Sequence, residues 1–191
     1  LPPDVYFQTG GIIKEQLSAF RWLGFALGLG VVLVYMVMAA QFESLLHPFV
    51  ILFSIPFSFV GVILALAAAG MTLNVVSMIG AIMLIGIVVN DAIVLVDYTN
   101  LLRKRGRPLM EAAHEAAVQR LRPVLLTTVT TVFGMIPLAL SRGEGSEVWK
   151  PLGLAMISGL SLATLVTLVL VPVVYTLFEG IRERRRKSLV T

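Results

Sequence analysis

The sequence has 191 residues, 58% hydrophobic and 14% charged, with a mean hydropathy of +0.93; soluble domains carry about 25% charged residues, so this composition excludes an ordinary soluble protein and places the chain in a bilayer. The net charge of +4 does not point to nucleic acid, because the basic residues lie beside apolar runs and are not interleaved with stacking aromatics on a polar face. Cysteine is absent, which excludes disulfides and thiolate metal sites.

The chain starts at Leu1 with Pro-Pro-Asp and without a charged leader and apolar h-region, and is expected to be a piece of a longer protein. Residues 1–18 read as the tail of an extramembrane domain: LPPDVYFQTGG holds a VYFQ strand signal between Pro and Gly, and IIKEQLSAF is a polar lead-in to the first helix. Crossing a bilayer core takes about 20 apolar residues, and five stretches qualify, near 20–40, 49–69, 73–98, 123–141 and 151–178. The predicted fold class is an all-α membrane protein, with five transmembrane helices and a short cytoplasmic surface helix at about 108–121 inside a bundle spanning 19–178, followed by a basic cytoplasmic tail at 179–191.

Along the bundle, Gly24 and Gly28 stand four apart in the first helix, and Ala155, Gly159 and Ala163 form a small-residue stripe in the fifth; both allow close helix packing. His47, alone beside Pro48, is expected in a solvated loop. Pro56, Pro137 and Pro172 should kink their helices by removing a backbone donor. In the surface helix, Pro108 marks the start, Glu111 occupies the first turn, and Arg120 and Arg122 close the end before Pro123. Leu109, Ala113, Ala116 and Leu121 give that helix an apolar face. His114, between Glu111 and Glu115, lacks the spacing of a zinc protease and is expected to be solvated.

Of fifteen basic residues, six (Arg103, Lys104, Arg105, Arg107, Arg120 and Arg122) flank the third connection, and five (Arg182, Arg184, Arg185, Arg186 and Lys187) end the chain. An odd number of spans puts these two clusters on one side, which the positive-inside rule makes cytoplasmic, with the N-terminus of the chain outside.

The segment GIVVNDAIVLVDY, 86–98, sets Asn90 and Asp91 within an apolar helix. Asp91 lies seven residues before Tyr98 and twelve before Arg103, about 10 and 18 Å from these interfacial groups at 1.5 Å per residue. An aspartate is too short to snorkel that far, and insertion at a helix centre costs about 2.5–3.5 kcal/mol. Either a carboxyl that exchanges protons or one that bonds neighbouring helices as packing glue accounts for it; an intramembrane acid is by default a functional hypothesis. Asp97, near Tyr98 and Asn100, is shallow enough to be interfacial. On the fourth helix, TTVTTVFG supplies Thr127 and Thr131 four apart, with Thr130 and Gly134 near the same face; their hydroxyls can serve a carboxyl or bond the preceding turn.

The segments MAAQFESLLHPFVIL (38–52), GIVVNDAIVLVDYTN (86–100), RLRPVLLTTVTTVFGMIPLAL (120–140) and PVVY (172–175) resemble the C-terminal transmembrane part of resistance-nodulation-division efflux transporters, most closely the hydrophobe/amphiphile branch. The resemblance runs nearly end to end. It implies a proton-driven antiporter of two similar halves, a homotrimer in the bacterial inner membrane, working with a periplasmic adaptor and an outer-membrane channel. This chain would supply five helices of the second half, needing the N-terminal half and membrane lipid as partners and no cofactor. In that family a proton relay joins two aspartates of the first half to a lysine, a threonine and an arginine of the second. The threonine falls on Thr127, the arginine on Arg120 and the lysine position on Asn90, with Thr130 and Thr131 as possible supports. Asn90 departs from the pattern, and Asp91 is the expected substitute.

Three other functions are distinguishable. An intramembrane aspartyl protease needs two carboxyls sharing a proton, whereas Asp91 and Asp97, six residues apart on one helix, are separated by about 9 Å along the axis; no catalytic residue is therefore assigned. Heavy-metal export is a closer rival, although the eight Met are scattered and form no ligand cluster, so no metal site is assigned. A scaffold or proton-conducting subunit would lack the first half's aspartate pair.

Overall fold

The structure is a computed structural model and describes residues 11–188; the VYFQ strand signal lies outside them. Helix α1 spans Gly11–Phe42, so the lead-in IIKEQLSAF is part of the first helix, with no Pro or Gly between residues 12 and 23 to interrupt it. The apolar run at 49–69 becomes two helices, α2 (Leu46–Leu52) and α3 (Ile55–Ala68). Pro56 falls in the first turn of α3, where no N–H is needed. At the break, the Ser54 hydroxyl donates to the Ile51 carbonyl at 2.7 Å, satisfying an acceptor at the end of α2. The pair remains long and apolar enough to cross a membrane as one span of 23 residues.

Helix α4 spans Val75–Lys104. Its start is a reciprocal cap in which the Ser77 N–H donates to the Asn74 side chain at 2.7 Å and the Asn74 N–H donates to the Ser77 hydroxyl at 2.9 Å. Gly106, at φ +87°, reverses the chain after its end, a conformation that suits glycine. Helix α5 (Leu109–Ala139) and helix α6 (Ser146–Ser188) follow. The surface helix expected at 108–121 is helical, but it is the leading part of α5 rather than a separate element. Pro123 frees one carbonyl without a glycine or capping residue beside it to stop the helix. Likewise Pro151 and Pro172 lie within α6, and the expected tail from 179 continues that helix through 188.

The bundle is organised around α6, which packs on α3, α4 and α5. The small-residue stripe of the fifth span explains why: Ala155 and Ala163 are fully buried, and a Cβ at Gly159 would collide with Leu84 and approach Val62 to 2.8 Å. Gly61 of α3 is equally close, a Cβ there lying 2.9 Å from the Ser158 carbonyl. Glycine here lets three backbones meet. Gly24 and Gly28 do not behave this way, since a Cβ at either meets nothing within 4 Å. Helix α1 touches the bundle through α2 and α4, where Leu27, Val31 and Met38 join the core. Large apolar side chains such as Phe25, Leu126 and Leu165 point outward, as expected where the solvent is lipid. Among the described residues, five spans are long and apolar enough to cross a membrane: the chain is an all-α, multi-pass membrane protein.

Candidate functional site

Asp91 sits half-buried on α4, and no residue among those described makes a hydrogen bond or ion pair with it. Seven residues on, two helical turns and therefore on the same face, Tyr98 hydrogen-bonds Gln119 and receives the Arg120 guanidinium over its ring at 4.8 Å from the centroid. These contacts set the register of the antiparallel pair α4 and α5. Asp91 and Tyr98 thus share one face of α4, and Arg120 and Thr127 one face of α5; Thr127 is exposed, and no hydrogen bond or ion pair joins Asp91 to it or to Arg120. Asn90, one residue and about 100° from Asp91, borders the groove between α1 and α4 instead.

The threonine hydroxyls are mostly occupied by their own helix. Thr127 donates to the Val124 carbonyl at 2.9 Å, and Thr130 to the Leu126 and Thr127 carbonyls at 2.8 and 2.9 Å, the back-bonding habit of hydroxyls in helices. Thr131 is half-buried. The hydroxyl that bonds between helices is that of Thr128, 2.9 Å from Thr164 of α6. Its position in TTVTT carries no mark separating it from its neighbours, because the facing helix decides which threonine is buried.

A second polar cluster lies near the ends of α4 and α6. His47 is not in a solvated loop: it is in α2, buried, stacked on Tyr175 at 5.5 Å and edge-on to Phe42 at 5.7 Å. The helix placing it there starts two residues before Pro48, so proline marks a beginning and not a loop. Its Nε2 is 3.4 Å from the carboxylate of Glu179 but not aligned as a hydrogen bond, and its Nδ1 is 3.4 Å from the Asn100 amide. Tyr175 donates to the Asn100 side-chain oxygen. Glu179, itself buried, also holds Arg103 at 3.4 Å and Arg182 at 3.2 Å. Asn100 is nine residues, half a turn round, from Asp91, so this cluster faces away from Asp91. Separations of 53 residues from His47 to Asn100 and 76 from Arg103 to Glu179 hid it in the sequence; the one local sign is Tyr175 and Glu179 at i and i+4 on one helical face.

Replacing Glu179 with Ala is expected to destabilise the bundle by about 2 kcal/mol, because Arg103 loses a buried counter-ion while Arg182, 63% exposed, is screened by water. Glu179→Gln should recover part of the loss, and thermal unfolding in detergent measures both.

Residues 1–179 match the model of the AcrB/AcrD/AcrF family. Over 185 residues the chain is 41% identical to the swarming motility protein SwrC of Bacillus subtilis (strain 168), an alignment covering 96% of this chain and 18% of that protein. Among solved structures it is similar to the X-ray structure of a heavy metal efflux pump in crystal form II, with TM-score 0.81 and 36% identity over 92% of this chain and 18% of the other. Crystal form I gives TM-score 0.70 and 38% identity over 89% and 17%. The chain therefore spans less than a fifth of the length of these relatives.

Proposed function

This chain belongs to the AcrB/AcrD/AcrF family, the resistance-nodulation-division transporters rather than enzymes, and on that premise we propose that it forms the C-terminal membrane segment of a proton-driven exporter of amphiphilic compounds. The observation that supports the reading is an intramembrane carboxyl, Asp91, two turns along α4 from the Tyr98 that stacks with Arg120 of α5 and with no bonding partner among the described residues. A proton crossing 100 mV releases about 2.3 kcal/mol, and that energy biases a conformational cycle only if a group inside the membrane binds and frees it. Asp91 is the proton carrier in this reading, taking part in the relay where Asn90 supplies no cation. Arg120 and Thr127 complete the relay, with Thr130 and Thr131 in support, and the first half of the transporter supplies the facing acids.

Pumps of this family generally form trimers and work with adaptor and outer-membrane proteins, and we extend both features to this chain: a homotrimer in the inner membrane, coupled to a periplasmic adaptor and an outer-membrane channel. Residues 1–18 end an extracytoplasmic domain, 19–178 form the bundle, and 179–191 lie in the cytoplasm beside the basic turn at 103–107.

A second reading, export of heavy-metal ions, is favoured by one observation, the printed function of the two similar solved structures. Proteoliposomes containing the complete transporter separate the two: a fluorescent lipophilic cation should trigger proton efflux reported by an entrapped pH dye, whereas a response to Zn²⁺ alone would select the metal reading. Movement of the cation without proton flux would overturn proton coupling.

A further inference from the structure

Hydroxyls in the membrane helices are commonly spent on their own backbone: Thr99, Thr127, Thr130, Ser158, Ser161 and Thr176 each donate to a carbonyl of the preceding turn. Thr167 of α6 does not. The residue is 3% exposed, and its hydroxyl is buried without a hydrogen bond among the described residues. Leaving such a group unpaired costs free energy, so its orientation calls for a partner in another state of the protein.

Contacts on either side set its depth. A Cβ on Gly159 would meet Leu84, and Tyr175 bonds Asn100; both pairs are 75 residues apart, so α4 and α6 run parallel. Between those contacts Asp91 falls level with Val166, about 1.5 Å along the axis from Thr167. Thr167 belongs to the buried face of α6 that carries Leu160, Thr164 and Val171, and Thr164 bonds Thr128 of α5. Asp91 lies two turns beyond Leu84, on the side of α4 that meets α6, whereas Asn90 borders the α1 side. Two polar groups without partners therefore stand at one depth on neighbouring helices of this chain. Among the described residues no other charge shares that depth: α4 has none before Asp97 besides Asp91, α5 none between Arg122 and Ala139, α6 none between Lys150 and Glu179, α3 none, and α1 none after Arg21. Tyr98 and Tyr175 lie seven and nine residues further along, His47 is stacked on Tyr175, and Tyr35 of α1 is bonded to the Leu45 carbonyl.

Resting on the reading of Asp91 as the proton carrier, we propose that the Thr167 hydroxyl donates a hydrogen bond to the Asp91 carboxylate once its proton has left. The bond holds an anion that an apolar interior would reject. Turning the Asp91 side chain towards α6 makes the bond, and reprotonation releases it. Thr167 is thus a positioning residue of the coupling site, enclosed by α4, α5 and α6.

Infrared titration of the complete transporter in lipid tests this. The carbonyl stretch of protonated Asp91 is identified by its loss in Asp91→Asn, and its pH midpoint is read in each variant. Thr167→Val keeps the shape of the side chain and removes the donor. It should move the midpoint, and the pH of half-maximal proton flux in proteoliposomes, upward by about one unit, the value of one hydrogen bond to a charged acceptor. Thr167→Ser, which keeps the donor, should hold both close to the parent values. A midpoint unmoved by Thr167→Val, or moved equally by Thr167→Ser, would overturn the inference while leaving Asp91 as the carrier. Export undiminished in Asp91→Asn would instead overturn the reading on which it rests.

Discussion

Asp91→Asn in the complete transporter is expected to collapse active export. One proton moving down 100 mV supplies about 2.3 kcal/mol, enough to hold a substrate gradient of about fiftyfold; an amide at this position cannot bind and release the proton, so the gradient should fall to about unity. Expression and assembly should be unchanged, because Asn matches Asp in size and the carboxyl makes no bond among the described residues that the amide would lose. Substrate accumulation against an imposed potential in proteoliposomes measures the effect, and size-exclusion profiles report assembly. Export undiminished in the variant would leave Asp91 as packing. Thr127→Val is a finer probe, since its hydroxyl already serves the Val124 carbonyl: a drop in proton flux with stability retained would mark it as part of the relay.

Gly159→Leu should have the largest effect on stability. The site where α3, α4 and α6 meet has no room for a Cβ: Leu84 and Val62 occupy the space, and the Ser58 carbonyl lies 3.2 Å away. Overpacking a filled core costs about 1–3 kcal/mol and occasionally more. Here backbone on one side and branched side chains on the other restrict relief, so a loss of about 3 kcal/mol is expected. Gly28→Leu, introduced into open space beside α1, should change stability by less than about 0.5 kcal/mol. Thermal unfolding in one detergent compares the pair; equal destabilisation would mean that α1 packs on its glycine face.

The same pair of glycines shows where sequence reading reaches its limit. Gly24 and Gly28 have the spacing of a packing motif as clearly as Ala155, Gly159 and Ala163, yet only the second set is covered, because whether a small residue meets a backbone depends on which helix lies opposite. His47 is similar: Pro48 beside it suggests a loop, but proline also suits a helix start, and contact with Tyr175 and Glu179 buries the ring.

The sequence by itself determined the membrane environment, the five spans and the exceptional position of Asp91, since each rests on apolar length or on the cost of a charge in lipid, properties local to a segment. It also carried the family, through motifs running almost from end to end. Tertiary structure alone decided that 108–121 leads into α5 without a break, that Thr128 bonds across to Thr164, that Arg120 stacks on Tyr98, and that His47, Asn100, Arg103 and Glu179 converge. Those outcomes depend on the relative rotation and register of helices, which are set by close packing between segments far apart in the chain.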